Sequence, residues 1–130
     1  MKTLKLVLLV FTMSLLTNKI MAQTEPAVIA VVTKAKWCPT CVKNENRVAS
    51  EVLSKIDDTK VAILVNDLSD KETKATAKET LKKAGLENLK LKATGVITFV
   101  NAKTKKEILS ISVSKSSEEI AAAFAKASMM

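Results

Sequence analysis

The sequence predicts an α/β fold: a four-stranded mixed sheet with helices on both faces, in the order βαβαββα. Two continuous apolar runs, 27–32 and 60–65, suit parallel strands that are covered on both faces. Helical periodicity follows each run, as a crossover between parallel strands requires. A later segment, 107–113, alternates apolar and polar residues, which is typical of a strand with one exposed face. The chain of 130 residues is long enough for one such domain.

The start of the chain has the features of a secretory signal peptide. Two lysines precede an apolar run over residues 6–16, and the small residue Ala22 ends the segment. The run, about 11 residues long, is short for a membrane span. We therefore expect a signal peptide over residues 1–22 and an exported domain, periplasmic or extracellular, over residues 23–130. Once the leader is removed, no stable membrane span is expected; an uncleaved leader that acts as an anchor is the alternative.

The first three elements of the domain are a strand, a helix and a second strand. A helix is predicted from Pro39 to about Lys55, because Pro39 suits the first helical turn, where its missing N–H is not needed. The two apolar strands, 27–32 and 60–65, are expected to lie side by side and parallel in the centre of the sheet. The residues of the helix that are expected to face the core are Val42, Ala49, Val52, Leu53 and Ile56.

A second helix is predicted over residues 70–84. The run from Ser69 to Glu72 has the spacing of a capping box at its start. Gly85, which follows a pair of lysines and an alanine, is a typical helix stop. No regular structure is predicted for residues 86–93.

The C-terminal part predicts a hairpin and a last helix. Residues 95–100 form the third predicted strand, and residues 107–113 form the fourth. Ser116 and Glu119 have capping-box spacing at the start of the helix. Its predicted core face consists of Ile120, Ala123, Phe124 and Ala127.

Composition excludes several classes of function. Loss of the leader removes three lysines and no acidic residue, so the net charge falls from +8 to +5. The domain has too few aromatic residues for a base-stacking platform, so no nucleic-acid partner is expected. The chain has no histidine, which excludes histidine-based catalysis and the common histidine-containing zinc sites. We expect a monomer that holds no cofactor and no metal.

The two cysteines, Cys38 and Cys41, form the chemical motif of the sequence. A bridge between residues three apart constrains little chain entropy, so the pair does not suit a structural staple. A Cys-x-x-Cys pair alone is also typical of zinc sites, but no further cysteine or histidine is present to complete one. The segment Trp37-Cys38-Pro39-Thr40-Cys41, between a buried strand and a long helix, resembles the thioredoxin superfamily. The likeness covers essentially the whole domain.

The resemblance implies thiol–disulfide exchange with protein thiols or disulfides and with an upstream redox partner. At a helix start, residues three apart place one sulfur at the tip and the other a turn deeper. We therefore expect Cys38 to be the nucleophile, more exposed and more acidic than Cys41, which resolves the mixed disulfide. Trp37, Pro39 and Thr40 are expected to contact the substrate.

Two positions depart from the family pattern. Thioredoxins keep a buried Asp six residues before the first cysteine, where this chain has Val32. They also place a cis-proline opposite the cysteines, and the matching segment here puts Ile97 in that place. A cis bond before Ile97 would cost about 2.5–4 kcal/mol, so we expect a trans bond. Val96 and Ile97 are then expected to contact the partner, with Ile97 over the cysteine pair; the alternative is that Ile97 is a core residue of its strand.

The leading prediction is an exported thiol–disulfide oxidoreductase that acts through Cys38 and Cys41. One alternative is a redox-inert binding module that keeps the fold. Another is a soft-metal binder that uses the same two sulfurs. The sequence does not determine whether the protein reduces or oxidises its partners.

Overall fold

The computed structural model describes residues 25–130 and confirms the predicted fold class and the order βαβαββα. The strands are β1 (Val28–Lys34), β2 (Val61–Asp67), β3 (Val96–Asn101) and β4 (Glu107–Ser112). The helices are α1 (Pro39–Glu51), α2 (Lys71–Lys83) and α3 (Ser117–Ser128), and a 3₁₀ turn, Leu53–Lys55, follows α1. No helix within the described range is long and apolar enough to cross a membrane. The predicted signal peptide, 1–22, lies outside the described residues, so the domain boundary stays a prediction.

Strand β1 lies inside the sheet, whose order is β2-β1-β3-β4. It pairs in parallel with β2, from Val28 opposite Val61 to Lys34 opposite Asp67. Its other edge pairs antiparallel with β3, which forms a hairpin with β4. The predicted parallel pairing is confirmed. The central place predicted for the second apolar run is wrong, because β2 is an edge strand of the sheet that residues 25–130 form.

Strand β2 is apolar because both of its faces meet the core. Ile63 packs on one face, while Ala62 and Leu64 pack on the other. Toward its end the cover is incomplete, and 47% of Val65 is exposed. A continuous apolar run thus indicates that helices or loops cover the two faces of a strand, and it carries no information about how many strands flank it.

The sheet separates two apolar cores. Alternate residues of β1 (Val28, Ala30 and Val32) pack with the buried residues of α1 and α3 on one face. The intervening residues, Ile29 and Val31, pack on the other face with Leu86 and with Leu81 of α2. Helices therefore cover both faces of the sheet, as predicted.

Helix α2 begins one residue later than its capping prediction. Asp70, not Ser69, is the N-cap: its carboxylate accepts a hydrogen bond from the Thr73 backbone N–H at 2.9 Å, and the Asp70 N–H donates to the Thr73 hydroxyl at 3.0 Å. Ser69 instead bonds back to the end of β2. The predicted stop at Gly85 is confirmed, since its φ of +73° is a conformation that glycine adopts without strain.

Helix α3 follows its prediction closely. Ser116 and Glu119 form the expected reciprocal capping box. The four residues predicted to face the core are all buried: Ile120, Ala123, Phe124 and Ala127.

Helix α1 departs from its predicted core face. Val48 and Val52 are buried, but Val42 is 58% exposed and Ala49 is also exposed. Both exposed residues line a cleft beside the edge strand β2. Because no further strand of the described fold lies beyond β2, this side of α1 has nothing to pack against.

The contact between Phe99 and Phe124 allows a test of how much the core on the α3 side of the sheet stabilises the fold. The rings meet edge to face, with centroids 4.7 Å apart, and both side chains are buried. We expect Phe124→Ala to lower the free energy of unfolding by about 3–5 kcal/mol, because it removes this packing and leaves a cavity. The exposed Val42→Ala is the control and should change it by about 0.5 kcal/mol or less. Equal losses in urea unfolding would contradict this assignment of the core.

Candidate functional site

The loop after β1 carries the cysteine motif and is held against the loop after β2. The Leu68 N–H donates to the Lys34 carbonyl at 2.8 Å, which extends the β1–β2 pairing beyond the strands. The Trp37 indole Nε1–H donates to the Leu68 carbonyl at 3.2 Å, and the Lys36 N–H donates to the Ser69 hydroxyl at 2.9 Å. These bonds fix the point at which α1 begins.

Cys38 is the N-cap of α1. Its sulfur accepts a hydrogen bond from the Cys41 N–H at 3.3 Å, one of the donors that the first turn of a helix leaves without a partner. Pro39 follows at the first helical position, as predicted. Both thiols are free, so the structure represents the reduced protein.

The two cysteines are almost equally buried. Only 5% of Cys38 and 7% of Cys41 are exposed, and both pack with Ala35 and the partly buried Leu68. The expectation that Cys38 is the more exposed residue is therefore wrong. The reason is the cap itself, because the Cys38 side chain turns back toward the helix to meet the Cys41 N–H.

The two thiols differ in acidity in the predicted direction. Burial raises the pKa of Cys38, but hydrogen bonds from the Cys41 thiol, the Thr94 side chain and the backbone of Cys41 and Thr40 outweigh it and lower the pKa below its ordinary value. Burial raises the pKa of Cys41, and so does the hydrogen bond that its thiol donates to Cys38. The site therefore stabilises a thiolate on Cys38 next to a protonated Cys41.

Thr94 and Gly95 form the part of the site that the sequence analysis missed. They enter β3, where the Gly95 N–H donates to the Thr33 carbonyl at 2.8 Å and the Gly95 carbonyl accepts from the Val113 N–H at 2.9 Å. Gly95 has a φ of +80°, and a Cβ added to it would lie 3.5 Å from the Thr40 methyl group. This close approach brings Thr94 to Cys38. The signal in the sequence was a Thr-Gly pair just before a β-rich run.

Ile97 and Val96 lie further along the same strand. Ile97 is fully buried, pairs with Val32 and Ile111, and belongs to the core between the sheet and helices α1 and α3. Its side chain cannot reach a docking partner, so the substrate contact expected of it is wrong and its alternative, a core residue, fits the structure. Val96 is half-buried at the first position of β3. No cis peptide bond occurs in residues 25–130, as expected for the bond before Ile97.

Cys41 borders a cleft of about 270 Å³ between α1 and the β2 edge. Val32 lines the same cleft, so the residue that replaces the family's buried acid does lie near Cys41. Lys34, at the rim, forms an ion pair with Glu45. Asp67 also lines the cleft, and hydrogen bonds from Ser69 lower the pKa of its carboxyl group.

The other predicted contact residues surround the cysteines on the surface. Trp37 is 62% exposed, and Pro39 and Thr40 are also exposed. Within the described part of the chain, no group of three or more cysteine, histidine or acidic side chains is arranged to hold a metal ion. The arrangement supplies a sulfur nucleophile, an adjacent proton-bearing thiol and an accessible apolar rim.

The unequal acidity of the two thiols predicts selective alkylation. Because Cys38 ionises at lower pH, iodoacetamide should modify it well before Cys41 at about pH 7, and the rate should rise with pH until Cys38 is fully ionised. Peptide mass spectrometry after short exposure identifies the labelled residue. Equal labelling, or faster labelling of Cys41, would contradict the assignment.

The hydroxyl of Thr94 should contribute measurably to the acidity of Cys38. Thr94→Val removes a hydrogen-bond donor to the charged sulfur, so the pKa of Cys38 should rise, while Thr94→Ser should keep it low. Thr98→Val is the matched control, because the buried Thr98 hydroxyl has no hydrogen-bond partner in the described fold. The ultraviolet absorbance of the thiolate gives the titration. The role of Thr94 is refuted if Thr94→Val and Thr98→Val titrate alike.

Comparison with known proteins places this chain in a family. The thioredoxin-domain model described as thioredoxin domain-containing protein 17-like matches residues 23–125. Trxlp from Edwardsiella tarda EIB202 is 14% identical, with 80% of this chain and 87% of that chain aligned at a TM-score of 0.51. The Malassezia sympodialis thioredoxin Mala s 13 is 16% identical, with 83% of each chain aligned at a TM-score of 0.50. No curated protein sequence matches the chain significantly. At such identities the two structures show the fold, and the matched model shows that the chain belongs to the thioredoxin domain-containing protein 17-like family of thioredoxin domains.

Proposed function

We propose that this protein is an exported thiol–disulfide oxidoreductase that exchanges disulfides with protein partners through Cys38 and Cys41. The observation that carries the proposal is the Cys38 sulfur at the start of α1, which accepts a hydrogen bond from the Cys41 N–H at 3.3 Å and packs in one cluster with the buried Cys41. This arrangement favours a thiolate on one sulfur and keeps a second thiol within reach of it.

In the reductive direction, the Cys38 thiolate attacks one sulfur of a partner disulfide. A bond forms between Cys38 and that sulfur, the partner's S–S bond breaks, and the departing thiolate takes up a proton. Cys41 then loses its proton and attacks the Cys38 sulfur, which releases the second partner thiol. The partner gains two electrons and two protons, and the protein is left with a Cys38–Cys41 disulfide. A dithiol partner must reduce it again, and the reverse sequence oxidises a partner.

The surroundings of Cys38 suit a polypeptide substrate. Cys38 is only 5% exposed, so a partner must approach it closely, and the strongly exposed Trp37 offers an apolar contact beside it. Thr94 and Gly95, on the neighbouring loop, complete the rim. Export rests on the leader over residues 1–22, and the exterior of the cell is where disulfide-bonded partners accumulate.

Cysteine substitutions test the reaction. With insulin as the disulfide substrate and dithiothreitol as the electron donor, Cys38→Ser should reduce turnover to the uncatalysed rate, because serine supplies no thiolate. Reduced Cys41→Ser, mixed with insulin after dithiothreitol has been removed, should instead accumulate a mixed disulfide between Cys38 and the substrate, visible on a non-reducing gel. Ser54→Ala, at an exposed position in the 3₁₀ turn after α1, is the control and should keep full activity.

If Cys38→Ser keeps wild-type turnover, or if the unaltered protein shows none, the oxidoreductase proposal fails and a binding module takes its place.

Two further measurements complete the test. The reduction potential of the Cys38–Cys41 couple decides the direction of electron flow. N-terminal sequencing of the protein recovered outside the cytoplasm tests cleavage after Ala22.

A further inference from the structure

Five exposed lysines cluster at the end of the domain opposite the cysteines. Lys82 and Lys83 lie in the last turn of α2, and Lys103, Lys105 and Lys106 lie in the turn between β3 and β4. The two groups are neighbours, because the Lys105 side chain lies over Gly85. Its Cε would be 3.2 Å from a Cβ added to that glycine. We call these five residues the basic pole.

The charge of the basic pole is not neutralised by ion pairs. The three ion pairs within residues 25–130 involve Lys34, Lys92 and Lys115, and none involves a lysine of the pole. The last turn of a helix favours lysine through the helix dipole, so Lys82 and Lys83 have a structural reason to be there. The lysines of the β3–β4 turn have no such reason.

The turn holds its three lysines in a fixed arrangement. The side-chain carbonyl of Asn101 accepts hydrogen bonds from the N–H groups of Lys103 and Thr104, at 2.9 and 3.0 Å. The Lys105 N–H donates to the Asn101 carbonyl at 2.9 Å. Lys105 has a φ of +59°, a conformation in which glycine would be free of strain. Lys105 therefore occupies a backbone position that glycine would hold with less strain.

The chain enters the domain beside the basic pole. The Ala27 carbonyl accepts a hydrogen bond at 2.9 Å from the N–H of Ala102, which directly precedes Lys103. The sequence upstream of Ala27 contains the apolar run 6–16. If the leader is retained as an anchor, the ten residues 17–26 join its apolar run to Ala27, at the end of the domain that carries the basic pole.

We propose that the basic pole binds the anionic headgroups of a lipid bilayer and so orients the cysteines away from the membrane. Clustered lysines next to a membrane-inserting segment are attracted by the negative surface potential of acidic lipids, and this attraction extends only about a Debye length. The site is independent of disulfide exchange, since no residue of the pole touches the cysteines or the rim around them. A nucleic acid is the less favoured polyanion, because no tryptophan, tyrosine or phenylalanine accompanies these lysines.

Vesicle co-sedimentation tests the proposal. The full chain is expressed, and the form that accumulates is purified and mixed with vesicles of phosphatidylglycerol and phosphatidylcholine or of phosphatidylcholine alone. The measured quantity is the ratio of the two affinities, and it is compared only between proteins that carry the same N-terminus, because the leader has three lysines of its own. We expect a strong preference for the anionic vesicles that is lost as salt rises.

Two charge-matched triple variants locate the binding. Lys103→Gln, Lys105→Gln and Lys106→Gln together should weaken anionic binding at least tenfold. Lys43→Gln, Lys71→Gln and Lys74→Gln remove the same charge from exposed positions at the cysteine end and should weaken it less than threefold. Circular dichroism and thermal unfolding verify that both fold. If the first variant does not, Lys82→Gln with Lys83→Gln takes its place, and Lys71→Gln with Lys74→Gln becomes its control.

The proposal is overturned by any of three results. These are equal binding to neutral vesicles, equal loss in the two triple variants, and tighter binding to a single-stranded oligonucleotide than to anionic vesicles. Insulin reduction, measured in parallel, should be the same in both triple variants and in the unaltered protein. A protein that fails the insulin test but keeps the lipid preference refutes the oxidoreductase proposal alone.

Discussion

The double pairing of β1 is the constraint on which the rest of the structure depends. One edge of β1 pairs with β2 and the other with β3, while its alternate side chains enter two separate cores. Both the carboxyl end of β1 and the N-terminal end of β3 are thereby fixed at one end of the sheet. The loop that carries Cys38 and the loop that carries Thr94 must then meet, because each continues from one of two paired strands. The site is thus a consequence of strand register.

The sequence predicted those features that local patterns determine. Three such features were predicted correctly: the capping box of α3, the buried face of α3 and the end of α2 at Gly85. Each depends on residues within one or two helical turns. The position of β2 at the edge of the sheet depends on which strands pair with it, and a run of apolar residues does not determine the pairing. The same limit explains α1, where Val42 has an apolar side chain and suitable spacing but no neighbour to cover it.

The misplacement of Ile97 has a related origin. The match of residues 95–98 to the family segment that holds the cis-proline puts Ile97 opposite the cysteines. In the structure the strand has already begun at Val96. The close approach to Thr40 occurs at Gly95, two residues before Ile97, where the backbone adopts a positive φ. A glycine at the entrance of a strand was the better guide, because backbone that passes against another loop leaves no room for a Cβ. The hydroxyl of Thr94 acquires its role from that approach.

The acidity of Cys38 and the charge of the basic pole respond differently to the solution. The chain has no histidine, and Lys34, near the motif, is paired with Glu45, so the lowered pKa of Cys38 comes from hydrogen bonds, which act over one contact distance. Dissolved salt scarcely screens such contacts, whereas it screens exposed lysines strongly. The chemistry at one end of the domain can therefore stay constant while attachment at the other end varies with ionic strength. The cysteine site and the basic pole can differ in this way because the length of β3 separates them. Thr94 and Gly95 directly precede the strand, and the turn with the three lysines directly follows it.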